Sequence, residues 1–226
     1  MGISPICLYR SKRHTGVSGW QLGNDSSGLS RHRASNLARL DDGFKNEAKN
    51  GPYGKVHRGF KQGLQSVWPE IQQLIQDWQT QAQSLWVTGH SLGATLATLT
   101  VATFGEKVKP VHGLYTFGQP RVGGETFARN FNLEFQSRTF RFVNNNDVVT
   151  RVPTRAMGYR HVGRVLVFDS AGKLQADLHF WNNLVNRVVG RIEDLGKPGT
   201  DGIKDHSMAR YVKNLERKDN QRNPYV

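Results

Sequence analysis

The clearest chemical pattern in the chain is Gly89-His90-Ser91-Leu92-Gly93. This is the G-x-S-x-G arrangement, in which a serine sits on a tight turn between a strand and a helix. Such a turn strains the serine backbone and pushes the hydroxyl into the open. Glycines on either side remove side chains that would meet the neighbouring strand or helix. The free N–H groups at the start of the following helix favour negative charge. The Leu92 N–H is therefore expected to donate to the oxyanion formed when Ser91 attacks a carbonyl. At such an elbow the side chain of His90 points away from that of Ser91, so His90 is expected to be structural.

A serine hydroxyl is a weak nucleophile at neutral pH. It needs a histidine to take its proton and a carboxylate to orient that histidine. After an elbow of this kind the partners follow in the order acid, then histidine. Asp147 and Asp169 are candidate acids, and His112, His161, His179 and His206 are candidate bases. Asp147 follows an apolar run ending at Val143, and the carboxyl ends of strands are where a sheet delivers catalytic groups. Asp169 is followed by Ser170-Ala171-Gly172-Lys173, which reads as a hairpin turn, so Asp147 is favoured. His112 precedes both acids, His161 lies on the approach to a strand, and His179 falls in an amphipathic stretch with Leu178, Trp181 and Leu184. His206 stands just before a closing helix, in a loop that can return to the serine, and is favoured as the base.

The elements that must hold these residues follow from periodicity. Leu64, Val67, Ile71, Leu74, Ile75 and Trp78 recur at helical spacing, with Pro69 expected to start or kink that helix. Leu85 to Thr88 reads as a buried strand and Leu92 to Phe104 as a helix rich in small residues. Strands are expected at Leu114 to Phe117, Thr139 to Val143 and Val162 to Phe168, and helices at Gly124 to Phe131 and His206 to Leu215. Alternating strands and helices imply a parallel sheet covered on both faces. Residues 1–54 show no comparable pattern after Leu8: 18–30 are rich in Gly, Ser and Asn, and 31–39 are basic.

Composition bounds the rest. The 226 residues suit one domain with a full core, and 37% of them are hydrophobic. No apolar run approaches the roughly 18 to 20 residues of a membrane-spanning helix. Met1 to Tyr9 is weakly apolar and is followed by Arg10, Lys12, Arg13 and His14, unlike a leader peptide. The expectation is a chain that stays in the cell or one lacking its leader. The one cysteine, Cys7, excludes an internal disulfide and two-cysteine metal sites. The formal charge of +13 is scattered, with no run of five basic residues and no nucleic-acid motif. It is read as a surface property that favours anionic interfaces such as acidic lipid, with no nucleic-acid partner.

With these residues assembled, the chain resembles the class 3 lipase family, the group of filamentous-fungal triacylglycerol lipases and their bacterial relatives, as a bacterial-type member. The matching segments are Val56-His57-Arg58-Gly59-Phe60, Thr88 to Ala94, Tyr115 to Gly123, Asn144 to Pro153, Tyr159 to Gly163 and Asp205-His206-Ser207-Met208. The resemblance implies an α/β-hydrolase fold over residues 55–226, with a mostly parallel central sheet and helices on both faces. It implies hydrolysis of acylglycerols or related carboxylic esters without a cofactor or metal. It also supports Asp147 and His206 as partners of Ser91. The family carries a strand ending in Phe-Arg-Gly-Thr or Phe-Arg-Gly-Ser, then a lid, before the His-x-Gly-Phe element. The hydroxyl residue of that strand supplies a second oxyanion donor. In residues 1–54 the nearest echo is Leu8-Tyr9-Arg10-Ser11-Lys12, which lacks the glycine. That segment is therefore expected to be atypical, with the first-strand region and lid damaged or absent. The alternative expectation is a catalytically weak or inactive hydrolase domain that binds lipid surfaces.

Overall fold

The computed structural model describes residues 6–11, 48–78, 84–107, 110–175 and 201–222. Strand β1 (Ile6–Ser11) comes first, then a hairpin of β2 (Ala48–Gly51) and β3 (Gly54–His57) that runs into helix α1 (Arg58–Trp78). Next come β4 (Ser84–His90), α2 (Leu92–Glu106), β5 (Gly113–Phe117), β6 (Gly123–Gly124), α3 (Glu125–Phe135) and β7 (Thr139–Asn144). A 3-10 turn (Val148–Arg151) leads to β8 (Tyr159–Arg160), β9 (Arg164–Phe168) and β10 (Leu174–Gln175). The last described elements are α4 (Asp201–Asp205), α5 (Met208–Leu215) and α6 (Lys218–Gln221).

The main sheet has the order β1-β4-β5-β7-β9-β10. Its four inner strands are parallel and both edge strands antiparallel. Crossover connections through α2 and α3 explain the parallel pairs, because parallel neighbours need a long return path. Leu85, Val87, Leu114 and Val122 lie in one core with residues of α1, α2 and α3. Phe142, Leu166 and Phe168 lie in a second core on the other face, with Tyr211 of α5. Helices therefore cover both faces, as the α/β-hydrolase reading requires. A smaller antiparallel sheet, β2-β3-β6-β8, flanks the first.

Four local expectations are corrected. Helix α1 runs through Pro69 instead of starting there. The proline removes one ladder bond, to Gln65, and Gln65 is exposed, so water can serve its carbonyl. The fourth inner strand begins at Arg164 rather than Val162, because Gly163 has φ +71° and gives its N–H to Asn132 Oδ1 at 2.8 Å. The closing helix begins at Met208, not His206, since Ser207 before it is extended (φ −63°, ψ 128°). Finally, residues 6–11 form a strand where the sequence offered only a weak apolar stretch, and β2 of the hairpin lies before residue 55. His179 lies outside the described residues.

Candidate active site

The elbow begins with β4, whose Leu85, Val87 and Gly89 are buried in alternation. Ser91 follows at φ 56° and ψ −126°. A non-glycine residue rarely adopts a positive φ, and it persists only where the surroundings enforce it. Here the Ser91 N–H is held by the Phe117 carbonyl at 2.9 Å. Gly89 is required by contact: a Cβ built there would lie 2.4 Å from the Gly93 carbonyl oxygen. Helix α2 is buried along most of its length. It tolerates its threonines because Thr98, Thr100 and Thr103 each donate a hydroxyl to the carbonyl four residues earlier.

The structure brings Ser91, His206 and Asp147 into one chain of hydrogen bonds. His206 Nε2 lies 2.7 Å from Ser91 Oγ. His206 Nδ1 lies 3.0 Å from both carboxylate oxygens of Asp147. All three residues are buried: Ser91 is 7% exposed, His206 5% and Asp147 1%. Asp147 follows β7 and caps the 3-10 turn, where its Oδ1 accepts the Val149 N–H at 3.0 Å. Tyr211 donates its hydroxyl to Asp147 Oδ2 at 2.7 Å and accepts the Asn144 N–H at 3.0 Å. Burial and then the charge of Asp147 push the Tyr211 phenol well above its ordinary pKa, so it stays a donor.

Further bonds tie the loop of Asp147 to the loop of His206. Asn144 Nδ2 donates to the Asp205 carbonyl at 3.0 Å, and the Asn146 N–H to Asp205 Oδ2 at 3.1 Å. His90 bonds the segment that carries His206. Its Nε2 lies 2.7 Å from the His206 carbonyl. Burial, then the neighbouring His206, depress the His90 pKa, so the neutral ring donates that N–H. Gly118 closes the floor at φ +58°, where a Cβ would stand 2.8 Å from Asp147 Oδ2 and 2.9 Å from the His206 ring. Tyr211, Asn144 and Asp205 were not singled out by sequence reasoning. Tyr211 carries a usable signal: a large aromatic on the apolar face of α5, five residues after His206.

The rejected candidates lie elsewhere. Asp169 accepts the N–H groups of Ala171 and Lys173, each at 2.9 Å, and so fixes the β9–β10 turn. His112 Nδ1 accepts the Leu85 N–H at 3.0 Å, in the segment leading into β5. His161 lies between β8 and β9 and has no contact with Ser91 among the described residues.

Leu92 occupies the first position of α2, so its N–H belongs to the set a helix leaves without an internal acceptor. The antiparallel register of β1 sets Ile6 opposite Gly89 and Ser11 opposite Ser84. The Ser11 end is thus about 17 Å along the sheet from the elbow, at about 3.4 Å per residue. Tyr9 to Ser11 do not stand where a second oxyanion donor would.

Residues 29–157 match the class 3 lipase family, more than half of the chain. The chain belongs to that family. The match begins inside the segment that reads poorly by periodicity and ends before His206. A secreted mono- and diacylglycerol lipase of Malassezia globosa is 29% identical over 157 residues, 68% of this chain and 50% of that protein. A secreted mono- and diacylglycerol lipase of Fusarium solani is 36% identical over 124 residues, 54% of this chain and 36% of that protein. The chain spans at most about half the length of these curated relatives. Among solved structures, lipase II from Rhizopus niveus matches at 26% identity and a TM-score of 0.51, covering 59% of this chain and 53% of that one. The mono- and diacylglycerol lipase from Aspergillus oryzae matches at 26% identity and 0.51, covering 56% and 47%.

Proposed function

We propose that the chain hydrolyses acylglycerols or related carboxylic esters through Ser91, His206 and Asp147. The observation that carries this reading is the 2.7 Å approach of His206 Nε2 to Ser91 Oγ, with Nδ1 engaged by a buried carboxylate. Ser91 Oγ attacks the ester carbonyl carbon and its proton passes to His206 Nε2. The carbonyl oxygen becomes an oxyanion that accepts the Leu92 N–H. The intermediate collapses, the C–O bond to the alcohol breaks, and His206 returns the proton to the leaving oxygen. Water, deprotonated by His206, then releases the acid from the acyl-serine. The similarity to mono- and diacylglycerol lipases supports glycerol esters as the substrate class. An alkyl fluorophosphonate should label Ser91 stoichiometrically and abolish turnover of p-nitrophenyl esters in step with labelling. Label found on any other residue reassigns the nucleophile.

The basic surface gives a second element of this reading, attraction to acidic lipid. A surface cleft is lined by Lys49, Arg58 and Lys61 with Asn50, Gln62 and Gln65. It lies along the start of α1, which runs beside α2: a Cβ on Gly63 would lie 3.3 Å from Leu96, and the tilted rings of Trp68 and Phe104 are 5.3 Å apart. Each basic side chain near an acidic bilayer contributes about 1 kcal/mol to attraction. Co-sedimentation with vesicles containing phosphatidylglycerol should exceed that with phosphatidylcholine alone, and the double change Lys49→Glu and Lys61→Glu should reduce the excess. Equal binding to both vesicle types would remove this element.

A further inference from the structure

His206 must meet two partners far from it in the chain, Asp147 at 59 positions and Ser91 at 115. Its ring carries the proton, so the backbone beneath the ring has to be held by bonds of its own. On the acid side that hold is explicit. Asn144 Nδ2 donates to the Asp205 carbonyl at 3.0 Å, and the Asn146 N–H to Asp205 Oδ2 at 3.1 Å. On the nucleophile side, the contact of His206 Nε2 with Ser91 Oγ is the reacting pair itself. That bond is made and broken in each turnover, so it cannot also be the restraint that sets its own length.

His90 supplies such a restraint. It ends β4, immediately before the nucleophile. Its Nε2 lies 2.7 Å from the His206 carbonyl oxygen. A carbonyl only accepts, so Nε2 carries the hydrogen. One bond thus joins the residue beside the nucleophile to the peptide of the base. The elbow end of that bond is fixed, because His90 pairs with Phe117 in the sheet and the Ser91 N–H is held by the Phe117 carbonyl at 2.9 Å. The ring of His206 is confined as well. Its centroid lies 4.7 Å from that of His90, at an interplanar angle of 31°. A Cβ on Gly118 would stand 2.9 Å from its Cε1 and Nδ1. Tyr211, which donates to Asp147, meets the His90 ring edge-on at 5.9 Å.

A catalytic group works only when held close to its productive geometry by neighbours that are themselves locked. We propose that His90 is a positioning residue of the ester hydrolysis: its Nε2–H bond to the His206 carbonyl sets the distance between Ser91 Oγ and His206 Nε2. It passes the fixed position of the elbow to the loop that carries the base. It touches no ester and transfers no proton. This inference rests on the hydrolase reading above.

Two substitutions separate the bond from the ring. His90→Phe keeps a ring against His206 and Tyr211 and removes the donor. His90→Gln keeps an N–H donor at a similar reach and gives up the ring. In His90→Phe, kcat for a p-nitrophenyl ester should fall about 10- to 100-fold, the upper figure being the cost of a misplacement of about 1 Å. KM should stay unchanged, because no contact with the ester is lost. His90→Gln should recover most of the lost kcat. Thermal unfolding establishes that each variant is folded at the assay temperature. Should His90→Phe not fold, His90→Leu, smaller and also without a donor, takes its place. Parental kcat in the donorless variant overturns the proposal. So does a His90→Gln enzyme as impaired as the donorless one, since the ring and not the bond would then place His206. Fluorophosphonate labelling of Ser91 in the parent tells the two failures apart. An unlabelled parent overturns the hydrolase reading and this proposal with it, whereas a labelled parent beside an unimpaired variant overturns the proposal alone.

Discussion

Replacing Ser91 by alanine should reduce p-nitrophenyl ester turnover by on the order of 10⁶-fold, the scale seen when a triad serine is removed and binding and oxyanion stabilisation remain. The fold should survive, because the hydroxyl is not what holds the elbow. The Ser91 N–H bond to Phe117 and the close packing of Gly89 on Gly93 do that, and both persist in the variant. Alanine inherits the positive φ of 56°, so it does not relieve the strain. Ser91→Gly removes the same hydroxyl and relieves it, and should therefore melt higher than Ser91→Ala, by about 1 kcal/mol or more of stability. Two inactive variants separated in this order would show that backbone strain is stored at the nucleophile. Retained Ser91-independent turnover in both would remove the proposed chemistry.

The parts of this arrangement that the sequence made legible are those written into short contiguous patterns. The elbow needs glycine at position 89 for a steric reason, so it leaves a mark in the chain. Asp147 and His206 each follow a recognisable strand or precede a recognisable helix, and chain order ranks them. The structure sets Ser91 and Asp147 each within hydrogen-bonding distance of His206. Residues whose role depends on contacts across the fold left little mark. Tyr211 reads as an ordinary core aromatic until the Asp147 oxygen is seen beside it. Asn144 reads as a turn residue, although its amide spans 61 positions to the Asp205 carbonyl. Strand β2 has its first three residues exposed, so no alternation announces it, and pairing with β3 defines it instead. Pro69 left two readings open, a helix start or a kink; the start is excluded because the helix runs through it, anchored beyond by the buried Ile71 and Ile75.

The sharpest test of the site is Asp147→Asn, which keeps the shape of the side chain and changes what it can accept. In the parent, both carboxylate oxygens face donors: Val149 N–H on one, the Tyr211 hydroxyl on the other, and His206 Nδ1 on both. Nδ1 therefore carries the proton, and Nε2 presents its lone pair to the Ser91 hydroxyl. An asparagine offers one acceptor and one donor in the same space. If its NH₂ faces His206, the ring shifts its proton to Nε2 and can no longer receive one from Ser91. If its NH₂ takes the Oδ1 position it meets the Val149 N–H, and two donors facing each other in a buried site cost about 1 to 3 kcal/mol. On the Oδ2 side it faces His206 Nδ1 and the Tyr211 hydroxyl, which can turn to accept it. The Oδ2 arrangement should win, since the imidazole can change tautomer and the backbone N–H cannot move. Turnover should then fall about 10⁴-fold, with the fold and fluorophosphonate-accessible cleft intact. Tyr211→Phe makes the informative contrast, because it removes one donor to the carboxylate but leaves the tautomer of His206 unchanged. Its loss should be far smaller. An Asp147→Asn variant as active as the parent would mean that some other group orients His206, and the hydrogen-bonded chain from Tyr211 to Ser91 would lose its catalytic meaning.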